Sequence, residues 1–169
     1  MKIIQNFTEF ESKIDLQNIS FLVSKKEDGP KWSAAKAKKI EKYYKQFLYL
    51  SYLFPEKVLV PTKDIDEYWH HHIMDTEKYY RDCYSIFGYI FHHYPYLGTK
   101  GEKDKLLLER LFSETLNLYR ENFQISSTQF RNDFSACGGG GGTCGGGGGN
   151  CGGRRGKIGL WEKMKQLSE

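Results

Sequence analysis

The sequence predicts an all-α protein, a compact bundle of about four to five helices followed by a disordered Cys/Gly-rich C-terminal tail. Three observations predict it. Apolar residues recur at intervals of three and four along several segments, and no segment alternates apolar with polar residues for long enough to argue a sheet. Glycine is segregated: 14 of the 18 glycines fall between residues 138 and 159. A chain of 169 residues suits one globular core plus such a tail.

Over residues 8–23, Phe10, Ile14, Ile19 and Phe21 keep helical spacing only loosely and predict an irregular first helix. After the breaker Asp28-Gly29-Pro30, Ser33 is the N-cap of a second helix. In it Ile40, Tyr43, Phe47, Leu50 and Phe54 step down one face until Pro55 stops it. Lys36, Lys38, Lys39, Lys42 and Lys45 take the opposite face, which reads as solvated rather than as a phosphate-backbone contact. Residues 58–62 form an extended connector, and Thr62 or Asp64 caps a long third helix reaching Phe87. Ile65, Trp69, Ile73, Tyr80, Cys83, Tyr84 and Phe87 share its inner face, and Gly88 stops it. Residues 89–103 read as a turn-rich connection, and residues 104–122 as a fourth helix with Leu107, Leu108, Leu111, Thr115 and Leu118 inward.

This organisation divides the chain into a helical domain (1–135), a Cys/Gly repeat tail (136–156) and a short basic amphipathic segment (157–169) carrying Leu160, Trp161, Met164 and Leu167. The tail repeats every seven residues, at Cys137, Cys144 and Cys151. Such a tract loses maximal backbone entropy on ordering and has almost no side chain to bury. Residues 136–169 hold five Lys/Arg against two Asp/Glu, so most of the net charge of +4 lies there. No apolar run has signal-peptide length or approaches the roughly 18 residues of a membrane span. The expectation is a cytoplasmic protein whose cysteines are free, metal-bound or modified rather than bridged.

The chemistry-bearing stretch runs through residues 64–76, where His70, His71 and His72 are consecutive. At about 100° per residue His70 and His72 point roughly 160° apart, so an unbroken helix cannot bring both to one ion. The feasible pairs are Asp66 with His70, His71 with Asp75, and His72 with Asp75. Zinc or another transition metal needs three or four ligands, for which His92 and His93 are the candidates in the body. Cys83 lies about 16 Å along a straight helix from His72 and on the core face, where a buried thiol is the ordinary state. His72 shares the phase of Trp69, which leaves it open between a core histidine hydrogen-bonded to a carboxylate or carbonyl, a ligand, and a catalytic group. No nucleophile motif, phosphate loop or His-Glu-x-x-His helix is present. Sixteen aromatic residues lie between Tyr43 and Tyr96, and their helical period assigns them to the core rather than to base stacking. Nucleic acid is therefore not an expected partner, whereas a protein partner is compatible with this surface.

The residues 60–76 segment, with Asp-Ile-Asp-x-x-Trp-His-x-His at its centre, together with Trp32 through Leu50, Tyr79 to Cys83, Phe87-Gly88 and His92 through Tyr96, resembles the glycine-rich domain-containing protein-like family. The likeness is to a short, bacterial-type member with a Cys/Gly-rich tail. The resemblance implies recurrent positions at Asp66, Trp69, His70, His72, Asp75 and Cys83.

Three functions follow as expectations. The leading one is a non-enzymatic binding or scaffold module, metal-binding through His70, His71, His72 and Asp75 with His92 or His93, with Cys137, Cys144 and Cys151 as a second, soft-metal site. The rival is a metal-dependent hydrolase with His70 or His72 as ligand and Asp75 or Asp66 as base, which requires an open pocket. The third is a precursor modified on its tail cysteines.

Overall fold

The computed structural model describes residues 4–25 and 29–125, and the backbone of 152–154. It is all-α but for two three-residue strands, in the order α1 (Phe7–Glu11), α2 (Gln17–Ser24), α3 (Ala34–Leu53), α4 (Lys63–Met74), α5 (Thr76–Ile86), β1 (His92–Tyr94), α6 (Glu102–Phe123) and β2 (Gly152–Arg154). The chain divides into two compact units, one of Met1–Phe54 with Asp64–Phe91 and one of Pro55–Lys63 with His92–Glu169.

In the first unit, α1 and α2 pack on α3. The expected single first helix is two, because the chain leaves the helix at Ser12 and re-enters it at Gln17. Ile14 and Leu16 plug the core between them at 2% and 0% exposure. Asn6 caps α1 by accepting from the Glu9 amide at 2.9 Å, and Glu9 returns the bond to the Gln5 amide at 3.0 Å. In α2, Ile19 and Val23 are inward and Phe21 faces out, against the expectation that it joins the core.

The second helix is α3, capped by Ser33 as its sequence predicts. Its later turns are buried nearly all round, from Tyr43 to Ser51. Lys45 is thereby a correction to the solvated lysine face. It is 8% exposed, with its ammonium 2.9 Å from Glu41, and that ion pair lets its long stem lie along apolar surface. Glu41 also accepts from the Ser20 hydroxyl at 2.6 Å, which lies 2.8 Å from the Tyr68 hydroxyl.

The long third helix is also two, α4 and α5, with Asp75 between them accepting from the Lys78 amide at 3.2 Å. The break resets the helical phase. Tyr79, Cys83 and Ile86 are therefore inward, while Tyr80 and Tyr84, expected in the core, lie outside with their tilted rings 4.5 Å apart. Gly88, at φ +75°, ends α5 in the left-handed conformation that glycine adopts without a Cβ penalty. Trp69 is fully buried, 5.2 Å from the Phe91 ring and 5.4 Å from Phe47.

The second unit gathers Val60, Tyr94, Leu97, Leu107 and Leu111 into a core, with α6 supplying the leucines at the expected spacing. Thr115, inward on α6, accepts from the Val60 amide at 2.9 Å. The turn-rich connection contains β1, which pairs antiparallel with β2, His93 opposite Gly153. Of the tail and terminal segment, only Gly152–Arg154 is described; Cys137, Cys144 and Cys151 and the amphipathic 157–169 segment otherwise lie outside the described residues. Among the described residues no helix is long and apolar enough to cross a membrane.

Candidate functional site

The histidine run occupies the last turns of α4, and each of its members meets a different environment. His70 is exposed, with Nε2 3.9 Å from the Asp66 carboxylate one turn back, as the i,i+4 spacing predicts. His71 is half-buried and reaches Glu67 at 3.5 Å. Asp75 cannot serve it as an i,i+4 partner, because Asp75 is outside the helix and holds the start of α5.

His72 is 1% exposed, and both of its ring nitrogens are engaged. Nε2 lies 3.0 Å from Asp82 and Nδ1 lies 3.0 Å from the Tyr44 hydroxyl. An ionised carboxylate only accepts, so Nε2 carries the hydrogen, and in the neutral ring Nδ1 accepts the Tyr44 O–H. Burial pushes the Tyr44 hydroxyl well above the ordinary phenol range and keeps it protonated for that bond. Tyr44 and Tyr79 both meet the His72 ring edge to face, at 5.8 and 5.0 Å. Tyr79 in turn accepts from the Trp69 indole at 2.9 Å and donates to the Phe91 carbonyl. Ten residues separate His72 from Asp82, a distance of about 15 Å along a straight helix. Only the break at Asp75 brings them together.

Asp82 carries the network to the surface. Its Oδ2 accepts from Lys78 at 2.9 Å as well as from His72. Burial alone would raise its carboxyl, but the hydrogen bonds from His72 and Lys78 outweigh that and hold it below the ordinary carboxylate range. Asp82 opens on a cleft of about 420 Å³ lined by Lys13, Asp15, Asn18, Lys78, Arg81 and Asp82. These residues carry no motif. The one sequence signal was the Lys78/Asp82 i,i+4 spacing, which does not reveal His72 behind it.

Cys83 is buried beside this network, and burial pushes its thiol up despite the Phe91 backbone and Tyr79 hydrogen bonds. It is a core thiol rather than a thiolate ligand. In the second unit, His92 is exposed and His93 half-buried on β1.

A family model matches residues 4–132, which is most of the chain and every element of the body. The chain belongs to the UCP032817-like family. This uncharacterised family replaces the glycine-rich domain-containing protein-like family that the Asp-Ile-Asp-x-x-Trp-His-x-His segment resembles. That short segment misled because its spacing follows from packing: Trp69 and His72 face the core, and Asp66 and His70 pair one turn apart. The UCP032817-like match ends before Cys137, so the Cys/Gly tail is no part of it. No curated protein and no solved structure matches the chain.

Proposed function

We propose that this UCP032817-like protein is a non-enzymatic binding module that holds a divalent transition ion, zinc foremost, on α4. The observation that carries this reading is the pair of successive carboxylate–imidazole couples one helical turn apart, Asp66/His70 at 3.9 Å and Glu67/His71 at 3.5 Å. Each offers the oxygen and nitrogen donors that zinc takes, and His70 is exposed enough to meet an ion from solvent. His72 and Asp75 leave the expected ligand set on physical grounds. His72 has both nitrogens engaged, and the Asp75 carboxylate caps α5. Either couple supplies two of the ligands that zinc takes, with water in the remaining positions, and such a site holds its ion exchangeably, which suits a carrier or scaffold.

The hydrolase alternative requires an open pocket at the histidines. Trp69 and His72 are closed into the core, and the cleft beside Asp82 has no histidine among its lining residues. The tail cysteines Cys137, Cys144 and Cys151 are retained in the proposal as a separate soft-metal site, on their spacing alone. We also propose that the protein is cytoplasmic, a reading that the buried, unbridged Cys83 fits.

The test is zinc titration of the full chain by calorimetry, beside Asp66→Asn/His70→Gln and Cys137→Ser/Cys144→Ser/Cys151→Ser variants. Body binding that disappears in the first variant and survives in the second supports the reading. Zinc binding unaffected by the first variant removes α4 from it.

A further inference from the structure

We infer that the cleft between the α1–α2 connection and α5 is a binding site for a small phosphate-type oxyanion, distinct from the histidine couples on α4. Its lining holds three cations, Lys13, Lys78 and Arg81, with two carboxylates, Asp15 and Asp82, and the Asn18 amide. The cations outnumber the carboxylates by one, and each carboxylate also accepts hydrogen bonds from the protein itself. Asp15 accepts from the Gln17 amide at 3.0 Å, and Asp82 accepts from both His72 and Lys78. The cations keep unused donors. Asp82 takes one of the three ammonium hydrogens of Lys78. Among the described residues Arg81 makes a long, exposed contact to Glu77 at 3.6 Å, which leaves most of its fork for a ligand. Lys13 is exposed on the opposite wall.

Asp82 therefore acts as a positioning residue. Anchored from behind by a histidine that is itself fixed by Tyr44, it holds the Lys78 head at the side of the cleft instead of letting it swing into solvent. A planar guanidinium plus two point-charge ammonium groups, with an amide alongside, matches the several equivalent acceptor oxygens of a phosphate better than a single carboxylate. The volume of about 420 Å³ takes more than the bare ion, so a phosphomonoester of a small molecule fits the space.

The experiment is calorimetric titration of the full chain with inorganic phosphate and, separately, with glycerol phosphate, each against chloride at matched ionic strength. Lys13→Gln/Arg81→Gln removes two exposed cations, and Asp82→Asn tests the positioning role. The inference predicts saturable binding of at least one of the two probes. The double variant weakens it by about tenfold or more with an unchanged melting temperature in chloride, and Asp82→Asn weakens it less. Tighter binding of glycerol phosphate identifies an organic phosphomonoester as the ligand; equal or tighter binding of inorganic phosphate identifies the free ion. No saturable binding beyond the chloride control, or binding that survives Lys13→Gln/Arg81→Gln, overturns the inference.

Discussion

At the scale of single residues, one buried imidazole organises the first unit. His72 has a carboxylate on one nitrogen and a phenol on the other, so truncating either partner strands a polar group with no route to water. Asp82→Asn retains the shape but loses the charge-assisted acceptor, and it should lower unfolding free energy by roughly 1–3 kcal/mol at neutral pH in urea denaturation. Tyr44→Phe removes the Nδ1 partner and should cost a similar amount, measured the same way. The pH dependence has a definite sign. The Asp82 carboxyl is held below its ordinary value in the fold, so its contribution is complete above the unfolded-chain value of about 4 and is lost as pH falls through the folded value. Denaturation curves of wild type and Asp82→Asn should converge as the solution is acidified below about pH 4. A gap that widens there contradicts the assignment.

At the scale of elements, the helices divide into those their own sequence announces and those set by tertiary packing. The α3 and α6 spans are legible because long runs of apolar residues keep one face and because Ser33 is a recognisable cap. The α1–α2 and α4–α5 breaks are not, since neither carries glycine or proline. Asp75 was conspicuous as a carboxylate beside histidines, but its side chain closes the first turn of α5. That is why Asp66/His70 could be read from spacing and His72/Asp82 could not. Asp75→Ala should lower stability by about 1 kcal/mol, the usual cost of a lost cap, in thermal or urea unfolding. It should also loosen the His72–Asp82 bond, visible as a changed His72 imidazole resonance in NMR; an unchanged resonance would show that packing alone sets the break. In the second unit, Gly98 sits at φ +85° with a Cβ position only 2.7 Å from Leu108 Cδ2. Gly98→Ala should therefore destabilise that unit, by calorimetry, through both strain and displacement of the leucine.

At the scale of the whole molecule, the UCP032817-like body is an all-α frame in which aromatic and aliphatic side chains share the core of the first unit and leucines gather with Val60 and Tyr94 in the second. Its chemistry gathers on α4 and α5, where consecutive histidines meet different partners because each faces a different direction around the helix. The account rests on the claim that the outward imidazoles bind metal while the inward one is structural. Zinc-edge X-ray absorption of the zinc-loaded chain with all three tail cysteines changed to serine tests that most directly. The account predicts a nitrogen/oxygen shell with imidazole scattering, lost on Asp66→Asn/His70→Gln and retained on Tyr44→Phe. An ion that stays bound when His70 and Asp66 are changed, or that leaves when only the His72 partner is removed, would contradict it.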